Sequence, residues 1–232
     1  MPINNDLLKQ KAAARAVQEI ISGMIVGLGT GSTASHAIRL IAQRLRNGDL
    51  SDIVGIPTSE ATARLALAEG IPLGTLQEYP EIDVTIDGAD EVDPQLNLIK
   101  GLGGALLREK IIATFSRRVI IIGDTHKQVE RLGTHAPVPV EVIVMAEWPI
   151  TLYLQNLGAT VAKRLLPNGE MPFITDEGNI ILDCYFVNGI INAPGLELAL
   201  RSRPGIVENG LFLGLASDVM LADGAGVEHR QR

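Results

Sequence analysis

Val119-Ile120-Ile121-Ile122 sets four β-branched apolar side chains in succession. A strand with one wet face would alternate, so this unbroken run reads as a strand covered on both sides, the habit of parallel sheets. Parallel strands cannot be joined by a tight turn, and each needs a crossover, usually a helix. The preceding chain supplies them. Residues 6–21 read as a helix capped by Asn5 or Asp6 and ended by Ser22-Gly23. Residues 24–28 form a short apolar strand, and Ile38, Ile41 and Leu45 mark the helix after it. Strands follow at 53–56 and 82–86, with a helix between them that Thr58 or Ser59 can cap and Gly70 stops. This alternation predicts a parallel α/β domain with its loops gathered at one sheet edge.

The character changes near Pro137-Val138-Pro139. Strand 140–145, helix 149–157, strand 159–165, a DEGN turn, strand 180–186, helix 194–201 and a strand from Ile206 give a β-α-β-β-α-β order. That order is ferredoxin-like. The expected division is a catalytic α/β domain over 1–132, completed by about 208–232, and a small α+β domain over 133–207. The apolar stretches 211–215 and 219–221 are expected to return to the first sheet.

Composition excludes several function classes. With 46% hydrophobic and 20% charged residues the chain is globular, and with 3% aromatics it lacks stacking platforms for single-stranded nucleic acid. A net charge of -7 has the wrong sign for a phosphate-backbone binder, although local donors can still hold a small phosphate ester. Cys184 is the only cysteine, so neither an intrachain disulfide nor a cysteine zinc cluster is expected, and a reducing cytosolic setting fits. His36, His126, His135 and His229 show no ligand spacing, and no bound metal is expected. The N-terminus carries no apolar leader core, and no apolar run approaches membrane-spanning length.

Chemistry-bearing residues crowd into residues 83–110, DVTIDGADEVDPQLNLIKGLGGALLREK. Ile82, Val84 and Ile86 alternate with Asp83, Thr85 and Asp87, so a strand ends near Asp87, and Gly88-Ala89-Asp90 is turn chemistry. Asp87 and Asp90 therefore stand at a strand end, where ligands bind in open α/β sheets. Lys100 offers a cation beside the glycine turn Gly101, Leu102, Gly103, whose backbone N–H groups can face an oxyanion. In the helix that follows, Leu107, Ile111 and Phe115 recur at i, i+4 and i+8 and are the expected buried face. Glu109 lies within it. A carboxylate in such a cleft can serve as general base, whereas Arg108-Glu109-Lys110 alone is usually a solvated face with local ion pairs.

Thr30, Gly31, Ser32 and Thr33 follow the first strand and open the next helix. The glycines let the backbone come close, the helix N-terminus carries partial positive charge, and the hydroxyls add donors, which makes an anion site. Gly29-x-Gly31-x-x-Ala34 formally meets the dinucleotide fingerprint, with Asp49 about twenty residues on. Asp49, however, precedes the next strand instead of ending it, and three hydroxyls suit a phosphomonoester better than a pyrophosphate. Lys127, just past the strand that begins at Val119, is a further candidate cation.

Taken together and in order, GTGSTA, TSEAT, DGADE, KGLGGALLREK and GDTHKQV resemble the ribose-5-phosphate isomerases of the A type, from about Met24 to Val142 and less sharply to Val219. The resemblance implies a Rossmann-like domain carrying a smaller ferredoxin-like α+β domain. It implies a cofactor-free interconversion of D-ribose 5-phosphate and D-ribulose 5-phosphate, in pentose phosphate metabolism or in the carbon-fixation cycle. It also implies homodimers or homotetramers. By motif, the base falls on Glu109, ring opening and hydroxyl contacts on Asp87 with Asp90, and the oxyanion lysine on Lys100. Substrate contacts fall on Thr30, Gly31, Ser32, Thr33, Gly88, Ala89, Gly101, Leu102, Gly103 and Lys127. Leu102 departs from the all-glycine run of many members and is expected to restrict that loop.

The chemistry of the residues agrees. Moving a proton between adjacent carbons needs one poised carboxylate and fixed donors for a developing alkoxide, and no redox cofactor. Two other readings of the same residues are a sugar-phosphate sensor and a nicotinamide-dependent oxidoreductase. The sensor has no basic helix-turn-helix here and no reason to keep Glu109, Asp87 and Lys100 together; the oxidoreductase lacks its ribose acid.

Overall fold

The structure is a computed structural model, and it describes residues 5–232. Along the chain run α1 (Asn5–Val17), β1 (Ile25–Leu28), α2 (Ser32–Arg46), β2 (Val54–Pro57), α3 (Glu60–Ala68) and β3 (Val84–Gly88). Next come β4 (Glu91–Val92), β5 (Leu98–Ile99), α4 (Leu106–Thr114) and β6 (Val119–Asp124). β7 (Val138–Val142), α5 (Glu147–Asn156), β8 (Thr160–Lys163), β9 (Ile180–Tyr185), α6 (Ala193–Arg201) and β10 (Ile206–Asn209) follow. β11 (Leu211–Phe212), β12 (Asp218–Ala222) and β13 (Val227–Gln231) close the chain. No described helix is long and apolar enough to cross a membrane.

Two compact units result. The first takes the described chain up to Ala89 together with Arg108–Lys127 and Gly214–Arg232. Its six-stranded sheet has the order β13-β12-β6-β3-β1-β2, all parallel except β13. Counted along the chain, the parallel strands lie 2-1-3-4-5, one of the two common doubly wound orders, and the direction of winding reverses between β1 and β3. On one face Ala12, Ala13 and Ala16 of α1 and Ala37, Ile38 and Ile41 of α2 bury themselves with Val26, Ile86 and Ile122. On the other, Ile112 of α4 packs with Ile56, Ile82 and Tyr79.

The second unit takes Asp90–Leu107 and Gln128–Leu213. Its four-stranded antiparallel sheet, β10-β7-β9-β8, is the 4-1-3-2 order of a ferredoxin-like fold, with α5 and α6 as crossovers. Val138, Val140 and Val142 of β7 and Ile180, Leu182 and Cys184 of β9 point into one core with Ile150, Leu154 and Leu200. A three-stranded sheet, β11-β5-β4, accompanies it.

Three readings of the sequence change here. Residues 90–107 and 128–132 lie in the second unit, against the division expected at 132, because β4 and β5 pair with β11 and Val129 donates its N–H to the Val92 carbonyl of β4. For the same reason Leu211 and Phe212 join β5, and only β12 returns to the first sheet, where it carries the antiparallel β13. On α4 the buried residues are Leu106, Glu109, Ile112 and Ala113, while Ile111 and Phe115 are exposed. Helical positions one residue apart differ by about 100° around the axis, so the inward face lies one position away from the expected one and carries the glutamate.

A polar knot closes the first sheet. Arg118 grips Asp218 through Nε at 2.6 Å and Nη2 at 3.0 Å, and its Nη1 donates to Glu19 at 2.9 Å. His229 Nε2, at 2.6 Å, and Gln231 Nε2, at 2.9 Å, add contacts to Asp218 Oδ1. Burial by itself would raise the Asp218 carboxyl, but the donors from Arg118, Gln231 and His229 outweigh it and hold the group well below the usual carboxylate range. A depressed carboxyl contributes stability that is complete above its unfolded pKa of about 3.9 and is lost as pH falls toward the folded value. Asp218→Asn should therefore cost about 2–4 kcal/mol near pH 7 and flatten the fall in melting temperature below about pH 5. Thermal melts across that range check it, and an unchanged acid slope would remove Asp218 as its source.

Candidate active site

The first unit presents its polar loops where parallel strands end. β1, β2, β3 and β6 run in register, with Leu28 beside Ile86 and Pro57 and Asp87 beside Ile121, so the turns after them share one edge. At that edge Asp87 is 2% exposed. Its Oδ1 accepts the N–H of Thr30 at 3.1 Å and of Gly88 at 2.7 Å, which ties the turn after β1 to the end of β3. Position 29 must be glycine for this approach, since a Cβ there would stand 2.3 Å from Asp87 Oδ1 and 2.6 Å from its Cα.

The 29–33 turn is fixed from a second side by hydroxyls. Thr58 Oγ1 donates to the carbonyl of Leu28 and Thr62 Oγ1 to that of Gly29, each at 2.9 Å. Thr30 Oγ1 lies 2.7 Å from Thr58 Oγ1 and donates to Ser59 Oγ at 2.8 Å. Ser59 is also the N-cap of α3, accepting from the N–H of Thr62. The Thr30 hydroxyl is thus engaged within the fold, while Gly31 and Ser32 are exposed and Thr33 half-buried at the start of α2. No acidic residue sits in the first turn of α2, and Lys9 Nζ of α1 donates to Ser32 Oγ at 2.9 Å. A helix N-terminus, free of acidic residues and with a cation at hand, suits an anion. Lys127 is half-buried in a single turn of 3₁₀ helix, Thr125–Lys127, at the end of β6.

Glu109 belongs to this unit too. It is 3% exposed, in the first turn of α4. Its neighbour Arg108 is half-buried and pairs with Glu60 of α3 at 2.8 Å, so the solvated reading fails for the glutamate.

The second unit holds Asp90, Lys100 and the glycine turn. Asp90 is half-buried, and its Oδ2 accepts the N–H of Leu102 at 3.0 Å. Lys100 is 3% exposed, with its N–H on the carbonyl of Gly210 and its Nζ 5.5 Å from the centre of the Phe212 ring. The 101–104 turn closes through Gly104 N–H on the Gly101 carbonyl at 2.9 Å. Gly101 and Gly104 take φ of 101° and 83°, which bars other residues, whereas Leu102 is absent from the left-handed residues and projects outward. The leucine therefore fits without strain, because the turn spends its unusual backbone angles on either side of it. Next to Asp90, the Glu91 carboxylate accepts three N–H groups, from Gly133 at 2.6 Å, His135 at 2.5 Å and Ala136 at 2.7 Å.

Several of these residues escaped the sequence reading. Lys9 is one cation among several on α1, and nothing in its spacing ties it to Ser32. Thr58 and Ser59 were legible as caps, but their reach to Leu28 and Thr30 was not. Among the described residues, no group of three or more His, Cys, Asp or Glu side chains is placed to hold a metal ion.

Comparison with known proteins gives one consistent outcome. Residues 54–226 match the model of the family described as ribose 5-phosphate isomerase A (phosphoriboisomerase A). The chain is 55% identical over 225 residues to the ribose-5-phosphate isomerase A of Gloeobacter violaceus, covering 96% of this chain and 95% of that one. It is 53% identical over 222 residues to that of Chloroflexus aurantiacus, covering 95% and 92%. Among solved structures, a D-ribose-5-phosphate isomerase in complex with phospho-erythronic acid superposes with a TM-score of 0.96 at 41% identity, over 99% of this chain and 100% of that one.

The two turns predict opposite tolerances. Gly29→Ala should destabilise by roughly 1–3 kcal/mol, since its Cβ meets the backbone of Asp87 as well as its side chain. Leu102→Gly should stay within about 1 kcal/mol of the parent. Urea unfolding of both variants tests this, and equal losses would mean that the close approach at Gly29 is not what constrains the turn.

Proposed function

The chain belongs to the ribose 5-phosphate isomerase A family, and from that membership we propose that it interconverts D-ribose 5-phosphate and D-ribulose 5-phosphate, with Glu109 as general base. The observation that carries the assignment of the base is the burial of Glu109 on α4, beside an arginine that is paired elsewhere, with Glu60. A carboxylate held in such a place can serve as a general base. Asp87 and Asp90 assist opening of the sugar ring and hold its hydroxyls. In the open aldose, Glu109 takes the proton from C2 as the C1 carbonyl oxygen becomes an enediolate oxygen. Return of that proton to C1, with transfer of the hydroxyl proton from O2 to O1, gives the ketose. Atoms and electrons balance without a redox cofactor.

Lys100 and the backbone N–H groups of the 101–103 turn stabilise the enediolate charge, and the family motif supports this role. The phosphate end goes to Gly31, Ser32 and Thr33 at the start of α2, with Lys127 and Lys9 as cations and Thr30 as anchor of the turn. Gly88 and Ala89 line the substrate beside Asp87.

The protein acts in the cytoplasm as a homodimer or homotetramer. Supporting the assembly, the second unit exposes the large apolar side chains of Met145, Trp148, Val187, Ile191 and Leu198, the kind of surface that a partner copy covers. Light scattering should give at least twice the 24.8 kDa of one chain. A single-chain mass would sink that part.

The decisive assay is conversion of ribose 5-phosphate by purified protein with chelator present and no cofactor added. Glu109→Gln should lose at least about 10³-fold in kcat, and Lys100→Ala about 10²–10³-fold while remaining measurable. Equal turnover by the two variants would contradict the roles given them, and no turnover by the parent protein would overturn the activity.

A further inference from the structure

We propose that Arg164 is a positioning residue for the isomerisation, acting through the peptide groups of the 101–104 turn. The proposal rests on the reading that this turn stabilises the enediolate. Arg164 follows β8, its own N–H on the carbonyl of Ile181, and its side chain is only 11% exposed. Asp183 of β9 holds the guanidinium through two bonds, Nε to Oδ2 at 2.9 Å and Nη2 to Oδ1. This leaves Nη1 aimed at the turn, where it donates to the carbonyl of Gly101 at 2.7 Å and to that of Leu102 at 3.1 Å.

What two captured carbonyls do follows from peptide geometry. In a planar trans peptide the N–H points opposite to the C=O, and every described peptide here is trans. With the Gly101 carbonyl drawn to Arg164, the N–H of Leu102 must face the other way, and it does, reaching Asp90 Oδ2 at 3.0 Å. With the Leu102 carbonyl drawn to the same nitrogen, the N–H of Gly103 is directed away from the guanidinium, at the exposed crest of the turn. One arginine nitrogen thus sets the direction of two successive N–H donors. One of them orients a carboxylate assigned to the substrate, and the other is available to an oxyanion.

The clamp is geometric more than electrostatic. Asp183 neutralises the guanidinium, so little net charge reaches the turn, whereas the planar fork fixes where Nη1 lies. A lysine would supply a cation without the fork. Donors help a developing negative charge only when they are already aimed at it, and an error of about 1 Å in placement costs on the order of 10²-fold in rate.

The experiment compares Arg164→Gln and Arg164→Lys with the parent enzyme on ribose 5-phosphate. It also measures inhibition by phospho-erythronic acid, whose carboxylate stands in for the charged enediolate. Both variants should melt cooperatively, lose roughly 10–100-fold in kcat with KM within about threefold, and bind the inhibitor more weakly by the same factor as kcat falls. Loss of kcat with inhibitor affinity intact, a rise in KM alone, or no change would each overturn the proposal. Should Arg164→Gln fail to fold, Asp183→Asn, which keeps an acceptor for Nε but loosens the fork, should show a smaller loss of the same pattern. Failure of both to fold would make the pair a stability element and refute its role in catalysis. Inactivity of the parent protein would instead refute the isomerase reading itself, so the two failures are distinguishable.

Discussion

Parallel strands all point the same way, so every turn leaving their ends arrives at a single edge, and the polar chemistry of the first unit depends on that constraint. β1 and β3 are neighbours between which the winding reverses, the place where open α/β sheets bind ligands. Asp87 joins the two turns by taking the N–H of Thr30 onto its side chain. The absence of a side chain at Gly29 permits the contact, and the hydroxyls of Thr58 and Thr62 hold the preceding carbonyls of the same turn. The turn is thus over-determined, held by side chains from two sides.

Charged side chains in the interior are the counterpart of this order. Asp87, Lys100 and Glu109 are each at most 3% exposed, a costly condition for ionisable groups. The apolar clusters of each unit supply the stability that such placements give up. A protein selected for stability alone would have little reason to keep a glutamate on the inward face of α4, where a leucine would pack without charge.

The parallel sheet and the ferredoxin-like order were legible because periodicity, caps and glycine stops are local signals, and Val119 to Ile122 or Ser59 carry them in a few residues. The motif residues were legible for the same reason, being short and contiguous. What escaped was non-local. β4 and β5 are two residues each, too short to show a period, and only their pairing with β11, over a hundred positions along, assigns them to the second unit. Arg164 meets Gly101 across 63 positions and Lys9 meets Ser32 across 23, with no spacing rule to join them. The inward face of α4 was misread because Leu107, Ile111 and Phe115 form a valid apolar stripe, and tertiary packing chose its neighbour.

The interleaving of the two units has a kinetic side. The second unit is inserted twice into the chain of the first, and β12, which pairs with β6, begins about a hundred residues after it. Its Asp218 meets Arg118 across 100 positions. During synthesis β1, β2, β3 and β6 leave the ribosome with an unpaired edge at β6, and that edge waits while the whole antiparallel sheet is made. Contacts of such separation are entropically late, and an open apolar strand such as Val119 to Ile122 is prone to pair with the wrong partner meanwhile. Closing that edge depends on β12, which stands in the chain beyond the last residue of the second unit.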